Sequence, residues 1–312
     1  MNGGRTQPVF FRKGWKYGFG CATIDLSQKK GAPHMKDLNV LQTTIKIGLP
    51  APVKLLHVTD THIALDDDRV SNRAACFDKD FENCSHVYFF QALEYAREKG
   101  IPLLHTGDLI DFLSENNFAF VDKYLSDVDY IYAAGNHDFC HWVGEAVEDY
   151  AYKWEMIKRS APHFRSNLYF ASRIVGGVNI VTMDDSYYLI SDGQVEMLKA
   201  EVAKGLPVVL AMHVPLYTKA LADDVMTRNP CAYVTAAPEE YLVRYPEYRR
   251  LQQAPDEATL RAVDYIENEP MIKAVITGHD HCNFEDILPG IGIPQITTHG
   301  SYAGYVRELT LV

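Results

Sequence analysis

The chain has 312 residues, with 47% hydrophobic and 23% charged side chains, which is typical of a globular protein. With 41 Asp and Glu against 30 Lys and Arg, the formal net charge of −11 argues against extended nucleic acid as a partner, because phosphate backbones require a basic surface. The six cysteines show no paired spacing, and no stretch approaches the roughly 20 apolar residues of a membrane span, so we expect a cytoplasmic protein without a membrane partner.

The beginning of the chain carries no cluster of ligand-type side chains. Residues 1–50 are predicted to form an N-terminal arm or edge strands, with the stretch TTIKIGL as one edge strand. Residues 51–312 contain no internal repeat, low-complexity tract or linker. Their length suits one large domain.

Six short apolar runs that are rich in branched residues end at polar, turn-like clusters and predict buried strands. They are residues 53–58, 101–105, 130–134, 178–183, 207–212 and 273–277. Helical patterns lie in four of the intervals and begin at Ser85, Ser114, Ser191 and Glu257. This alternation of strands and helices predicts a layered α/β domain.

One long segment, residues 217–255, has no sustained hydrophobic period and contains four prolines. A loop of that length inside a compact domain is unusual unless it is functional. Because both of its flanks adjoin strand ends that carry histidines, we interpret the segment as a possible lid insertion. The alternative is a packed surface insertion.

Asp, Asn and His side chains follow five of the six predicted strands. These clusters are Asp60 and His62; Asp108 and Asp111; Asn136, His137 and Asp138; His213; and His279 and His281. Each cluster alone fits an ordinary turn, a helix cap or a core histidine. Since the carboxyl ends of strands in α/β sheets are where sites form, the joint pattern indicates a metal site with oxygen and nitrogen ligands.

In chain order, the motifs D-x-H, G-D-x-x-D, G-N-H-D, a single His and G-H-x-H within residues 53–312 resemble the calcineurin-like metallophosphoesterase superfamily. The resemblance implies a four-layer α/β/β/α sandwich with a dinuclear metal centre at the strand ends. It also implies two divalent metal ions as cofactors, and Mn, Fe and Zn all suit these ligand atoms.

The resemblance distributes the ligands over two ions. Those of the first ion are Asp60, His62 and His281, those of the second are Asn136, His213 and His279, and Asp108 bridges both. A bridging carboxylate is needed because two dications repel each other. Asp280, between the two histidines of the last motif, is given no bond to metal.

The remaining polar residues of the motifs are implied to act around the ions. His137 would protonate the leaving oxygen of the ester or stabilise charge there. Asp138 would accept a hydrogen bond from His137 and raise its pKa. Asp111 would orient the ligands, with a helix cap as the alternative.

The implied reaction is hydrolysis of a small phosphodiester or phosphomonoester by a metal-activated water. The motif pattern looks closest to bacterial class III phosphodiesterases. Phe112 stands where serine/threonine protein phosphatases carry Arg, and Asp111 stands where purple acid phosphatases carry Tyr. The alternatives are a nucleotide pyrophosphatase or nuclease, and a non-catalytic scaffold like the retromer subunit that keeps this fold.

The possible lid insertion supplies aromatic and cationic side chains for a substrate. Among them, Tyr217, Arg228 and Arg244 are predicted to stack on a base or pair with phosphate. His299 follows a further strand-like run and either lines the pocket or is structural. Two other histidines, at positions 57 and 105, lie inside predicted strands and are expected to be core residues.

Overall fold

The computed structural model describes residues 37–65, 85–141 and 150–312. The part of the predicted arm that precedes residue 37 lies outside the described residues. The described residues belong to one compact unit, Asp37–Val312.

The described residues contain eleven strands, numbered here in chain order. They are β1 Asn39–Ile45, β2 Val53–Val58, β3 Leu103–Thr106, β4 Tyr130–Ala133, β5 Phe170–Val175, β6 Val178–Met183, β7 Val208–Ala211, β8 Ile272–Thr277, β9 Phe284–Ile287, β10 Pro294–Thr297 and β11 Tyr305–Leu311. All six predicted strands are present, and their bounds differ from the prediction by at most two residues.

Helices connect these strands. They are α1 Ser85–Lys99, α2 Glu115–Tyr124, α3 Tyr150–Ser160, α4 Asp192–Val202, α5 Lys219–Val225, α6 Glu239–Leu242, α7 Glu247–Gln253 and α8 Glu257–Asn268, with short 3₁₀ helices at His137–Phe139, Ala161–His163 and Ser301–Ala303. Two predicted helix starts are confirmed by their caps. Ser114 accepts the N–H of Asn117 at α2, and Ser191 and Gln194 form a complete capping box at α4.

The strands form two sheets that are mostly parallel. The five-stranded sheet has the order β1-β11-β2-β3-β4, in which only the β11–β2 pair is antiparallel. The six-stranded sheet has the order β5-β6-β7-β8-β10-β9, in which only the two outer pairs are antiparallel. The parallel cores place the carboxyl ends of β2, β3 and β4, and those of β6, β7, β8 and β10, at one edge of each sheet.

Adjacent residues of β2 show how the layers are built. Leu55 and Leu56 are both fully buried, and their side chains point to opposite faces of the strand. Leu55 packs between the two sheets with Ile180 of β6, whereas Leu56 packs with Phe89 of α1. Helices α4 and α8 cover the outer face of the six-stranded sheet. The predicted four-layer α/β/β/α sandwich is therefore confirmed.

The segment 217–255 contains α5, α6 and α7 and encloses its own apolar cluster, with Leu221, Cys231 and Tyr245 among its buried members. Leu216, the residue before this segment, is tied to the six-stranded sheet because the Gln295 side chain accepts its N–H and donates to its carbonyl oxygen, at 2.9 Å each. Helices of one or two turns are too short to give a recognisable sequence period, so the sequence predicted a loop here.

Candidate metal centre

The described residues contain three groups of His and Asp whose ligand atoms all lie within 4.8 Å of one another. They are Asp60, His62 and His281; Asp108, His213 and His279; and His62, Asp108 and His137. We call the first two the first-ion group and the second-ion group, after the motif assignment. The third group shares His62 with one and Asp108 with the other, so the two ion groups adjoin each other.

In the first-ion group, the imidazole of His281 is close to both partners. Its Nε2 lies 3.2 Å from Oδ1 of Asp60 and 3.2 Å from Nε2 of His62. Nε2 of His62 lies 3.8 Å from Oδ1 of Asp60 and 3.8 Å from Oδ2 of Asp108. Three ligand atoms therefore face a common point, and Asp108 lies at its border.

In the second-ion group, Nε2 of His213 is the central atom. It lies 3.3 Å from Oδ2 of Asp108, 3.1 Å from Nδ1 of His279 and 3.2 Å from Oδ1 of Asn136. Asn136 therefore adds a neutral oxygen to this group. Since Oδ2 of Asp108 approaches both His213 and His62, it is the atom suited to bridge two ions.

The state of Asp60 tests whether these residues fit metal ions. This residue is fully buried, and its Oδ2 accepts hydrogen bonds from the Thr59 hydroxyl at 2.7 Å and the His279 N–H at 2.9 Å. Its Oδ1, which faces the imidazole nitrogens, is buried without a hydrogen-bond partner. A buried acceptor without a partner costs about 1–3 kcal/mol, and a cation at this point would remove that cost. The first-ion group therefore fits a divalent ion, and the second-ion group offers the same kinds of oxygen and nitrogen donor.

Residues 53–283, more than half of the chain, match the family model described as calcineurin-like phosphoesterase. The chain belongs to this family. No curated protein sequence was found to match the chain.

This metallophosphoesterase is similar to several solved structures, but its sequence identity with them is low. A dimetal phosphatase from Danio rerio is 13% identical, with 80% of this chain and 88% of that chain covered and a TM-score of 0.44. The phosphopantetheinyl hydrolase of Mycobacterium tuberculosis is 12% identical, with 83% and 96% covered and a TM-score of 0.41. GAP50, the anchor in the inner membrane complex of Plasmodium, is 13% identical, with 81% and 72% covered and a TM-score of 0.39.

Within the described parts of this metallophosphoesterase, no helix is both long and apolar enough to cross a membrane.

The ligand turns of the metallophosphoesterase motifs share an unusual backbone conformation. Five of the proposed ligands have left-handed backbones: Asp60 (φ 48°), His62 (φ 51°), Asp108 (φ 55°), His279 (φ 67°) and His281 (φ 48°). Residues with a side chain rarely adopt this region, and such strain concentrates at functional sites. The alternation of left-handed residues explains how side chains two apart, at 60 and 62 or at 279 and 281, reach the same centre.

Glycines before the ligands let backbone and carboxylates approach closely. A Cβ on Gly278 would lie 1.9 Å from Oγ1 of Thr59 and 2.5 Å from Oδ2 of Asp60. A Cβ on Gly135 would lie 2.2 Å from Oδ1 of Asp108. The G-H-x-H and G-N-H-D motifs therefore need glycine for steric reasons.

The carboxylates hold protons on two of the histidines when no ion is bound. Burial alone would lower the pKa of His62, but Asp111, Asp60 and Asp108 raise it to about 10. Burial would likewise lower the pKa of His213, but Asp108 raises it to about 10. Because a metal ligand must be deprotonated, ion binding has to release these protons and should weaken as the pH falls.

His137 and Asp138 are arranged differently from the prediction. Nδ1 of His137 lies 2.9 Å from the backbone oxygen of Asp111 and 3.2 Å from its Oδ1, so Asp111 is its partner. Asp138 instead accepts hydrogen bonds from the Tyr132 hydroxyl at 2.6 Å, the Gly135 N–H at 2.8 Å and the Asp108 N–H at 3.0 Å. The expected hydrogen bond between His137 and Asp138 is therefore wrong, because the 3₁₀ turn that begins at His137 directs the two side chains apart.

Asp111 also bonds the first-ion group, since its Oδ1 lies 2.8 Å from Nδ1 of His62. This contact agrees with the predicted orienting role rather than with a helix cap, which Ser114 supplies. Burial alone would lower the pKa of His137, but the carboxylates of Asp108 and Asp111 raise it.

Of the predicted substrate contacts, Arg228 adjoins the centre. It lines a cleft of 380 Å³ together with Asn229, Tyr233, His279, Asp280 and His281. Asp280 is buried at this cleft and belongs to none of the three ligand groups. Neither of its carboxylate oxygens has a hydrogen-bond partner.

Tyr217 and Arg244 lie elsewhere in the insertion, where both rest on the ring of Tyr241, at 5.2 Å and 5.0 Å. They do not line the cleft. His299 borders the first-ion group, with its ring 6.3 Å from that of His281.

The two histidines inside strands are core residues, as expected. His57 is fully buried, and its ring nitrogens contact the hydroxyls of Thr298 and Thr106 at 2.9 Å and 2.8 Å. His105 accepts the Gly107 N–H at Nδ1, so its Nε2 carries the proton and donates to Thr61 at 2.9 Å. Both rings therefore connect the ends of β2 and β3.

Three residues beside the centre were missed in the sequence. The Asp185 carboxylate accepts the His213 N–H at 3.0 Å, the Tyr188 hydroxyl lies 2.9 Å from Nε2 of His279, and the Tyr302 hydroxyl lies 2.9 Å from Nδ1 of His281. All three follow strand ends, which is the signal that identified the ligands. Asp185 closely follows the predicted strand 178–183 and fits the Asp, Asn and His pattern, so that signal could have identified it, whereas the two tyrosines fall outside these ligand types.

We expect Gly278→Ala to lower the free energy of unfolding of the metal-free protein by about 1–3 kcal/mol, because the new methyl group overlaps Thr59 and Asp60. Gly193→Ala is the matched control, since the nearest atom to its Cβ is 3.7 Å away in a helix, where alanine is favoured. Denaturant unfolding measures both. Equal stability of the Gly278→Ala variant and the parent would contradict the close approach of β8 to β2.

Proposed function

We propose that this protein is a dinuclear metal-dependent phosphohydrolase that cleaves a small phosphodiester or phosphomonoester. Membership of the calcineurin-like phosphoesterase family supports metal-dependent phosphoester hydrolysis. The observation that carries the dinuclear assignment is the pair of adjacent ligand groups, which meet at Oδ2 of Asp108.

The proposed ligands leave the centre suited to an anionic substrate. The first ion would be held by Asp60, His62 and His281, the second by Asn136, His213 and His279, and Asp108 would contact both. The two carboxylates offset only part of the charge of two divalent ions. The remaining positive charge would attract and orient a phosphate group in a site of low dielectric constant.

When bound, two divalent ions in such a centre polarise the phosphate and activate a water for in-line attack. The chain itself supplies the proton for the leaving oxygen. Because a backbone carbonyl can only accept, Nδ1 of His137 donates its hydrogen to the Asp111 oxygen, and Nε2 is the nitrogen that exchanges a proton with the substrate. We assign the support of His137 to Asp111, which replaces Asp138 in this role.

The cleft supports a small substrate. Its volume of 380 Å³ lies near the lower end of ligand sites, which span roughly 300–1,000 Å³. Arg228 and Tyr233 line it together with the histidines of the G-H-x-H motif and offer a cation and an aromatic face. This pairing also suits a nucleotide, so nucleotide pyrophosphate hydrolysis is the second candidate.

The proposal is tested by counting ions and measuring hydrolysis in one preparation. We expect the parent to bind about two Mn²⁺, Fe²⁺ or Zn²⁺ ions per chain and to hydrolyse members of a panel of nitrophenyl phosphates, cyclic nucleotides, glycerophosphodiesters and nucleotide pyrophosphates. Asp108→Ala should lose more metal than His281→Ala, because it alone contacts both ion positions. Elemental analysis of both variants gives the comparison. Full occupancy of Asp108→Ala would contradict the bridge, and a fully loaded but inactive parent would favour a scaffold.

The proton-donor assignment predicts a leaving-group effect. His137→Ala should keep both ions but hydrolyse alkyl esters about 10²–10⁴-fold more slowly. Nitrophenyl esters should be affected far less, because nitrophenolate leaves without a proton. His163→Ala, whose ring stacks on Phe118, is the control and should change neither rate. Loss of one ion, or the same rate ratio for both esters, contradicts the assignment.

The cleft wall predicts which arginine of the insertion contacts the substrate. Arg228→Ala should raise KM for the best ester of the panel by about tenfold or more, the effect of losing one hydrogen bond to a charged group. Arg244→Ala should leave KM unchanged, because its guanidinium rests on Tyr241 outside the cleft. Steady-state kinetics on both variants make the comparison. Equal effects would indicate that residues 217–255 act only as a packed insertion.

A further inference from the structure

Two strand ends at the edge of the six-stranded sheet carry no proposed ligand. In the sheet order, β6 and β10 flank the strands β7 and β8, whose ends carry His213, His279 and His281. Each flanking strand leads into a turn with a tyrosine whose hydroxyl reaches a proposed metal ligand. These are Tyr188 after β6 and Tyr302 after β10.

The two phenols contact the ring nitrogens that face away from the ion positions. His279 turns Nδ1 towards His213, 3.1 Å away, and its Nε2 lies 2.9 Å from the Tyr188 hydroxyl. His281 turns Nε2 towards Asp60, 3.2 Å away, and its Nδ1 lies 2.9 Å from the Tyr302 hydroxyl. His279 therefore presents Nδ1 to the centre and His281 presents Nε2. In each histidine the phenol hydroxyl contacts the remaining ring nitrogen.

This arrangement suits the tautomer that metal binding requires, because a phenol oxygen can accept the hydrogen of the ring nitrogen that faces away from the ion. A neutral imidazole that offers one nitrogen to a cation carries its hydrogen on the other, where an acceptor fixes both the proton and the ring orientation. The remaining two histidines have such acceptors in Asp111, for His62, and in the backbone oxygen of Thr106, for His213. The phenol oxygens complete the set, with one outer partner for each proposed histidine ligand.

Among the proposed ligands, those that Tyr188 and Asp185 of the turn after β6 are seen to hydrogen-bond belong to the second-ion group. Tyr188 has a left-handed backbone, φ 63°, and its N–H donates to the Asp185 oxygen at 2.7 Å. The carboxylate of Asp185 accepts the N–H groups of His213 at 3.0 Å and Val214 at 3.1 Å. The strained turn thus holds the backbone of His213 and the ring of His279 together.

The turn after β10 makes the corresponding contacts to the first-ion group. The Ser301 N–H donates to the Thr59 oxygen at 2.8 Å, and the Tyr302 N–H donates to the Asp60 oxygen at 3.3 Å. A Cβ on Gly300 would lie 2.4 Å from the Tyr302 ring, so glycine is required for the ring to lie across this turn towards His281.

We propose that Tyr188 and Tyr302 are positioning residues with separate duties, in which Tyr188 sets the affinity of the second ion and Tyr302 that of the first. The proposal rests on the ligand assignment of the proposed function. It goes further, because it assigns to each ion one tyrosine that orients a ligand histidine and that follows a strand without a proposed ligand.

The test measures ion affinity at one position at a time. His281→Ala weakens the first position and leaves the second to be titrated, whereas His213→Ala does the reverse. In the His281→Ala background, Tyr188→Phe should lower Mn²⁺ affinity about 10–100-fold and Tyr302→Phe should not change it. In the His213→Ala background, Tyr302→Phe should lower Mn²⁺ affinity about 10–100-fold and Tyr188→Phe should not change it. Calorimetric titration, or the loss of the free Mn²⁺ signal in electron paramagnetic resonance, reports the affinity without any substrate.

Tyr95→Phe is the matched control, because it also removes a phenol hydrogen bond, to Glu308 at 2.7 Å, and touches no proposed ligand. It should change neither affinity. Thermal unfolding of the metal-free variants separates a loss of fold from a loss of ion binding. Equal weakening of both positions by either phenylalanine variant, or no weakening, would overturn the proposal while the parent still binds two ions. A parent that binds fewer than two ions would overturn the proposed function and, with it, this inference.

Discussion

Asp108 is only 2% exposed, and a buried carboxylate is costly unless opposite charge or hydrogen-bond donors surround it. Its two oxygens divide this task. Oδ1 accepts the His137 N–H at 2.8 Å, whereas Oδ2 faces His213 at 3.3 Å and His62 at 3.8 Å. The carboxylate therefore joins ligands that come from both sheets. The neighbouring turns, the glycines and the outer partners of the histidines all serve to keep these ligands around one oxygen atom.

The two sheets place these side chains together. Parallel strands bring their carboxyl ends together in each sheet, and the apolar cluster that contains Leu55 and Ile180 packs the two sheets face to face. Left-handed residues at the strand ends then turn the side chains inwards. This conformation is unfavourable in isolation, so the interlocking backbone contacts of the turns, such as the Asp60 N–H to the Gly107 oxygen at 2.9 Å, have to hold it. The same backbone strain that costs stability preorganises the proposed metal centre.

The sequence predicted the layered fold and the residues that converge at the centre. Strands such as residues 53–58 are buried on both faces and so stand out as apolar runs, and the ligand types follow them directly. The direction of side chains within a turn was harder to predict. Asp111 follows β3 and Asp138 follows β4, and both stand two or three residues after a proposed ligand in the sequence. Only the 3₁₀ turn at His137 decides that Asp111, and not Asp138, contacts the His137 ring. The phenols of Tyr188 and Tyr302 were missed because an outer partner can be any acceptor, so no residue pattern marks it.

Anomalous diffraction from crystals grown with Mn²⁺ is the most direct test of the central claim that two ions share Asp108. We expect two peaks about 3.5–4 Å apart, the usual separation in two-metal sites. Both should lie within bonding distance of Oδ2 of Asp108, one beside Asp60 and His281, the other beside His213 and His279. A single peak, or two peaks of which only one contacts Asp108, would contradict the account.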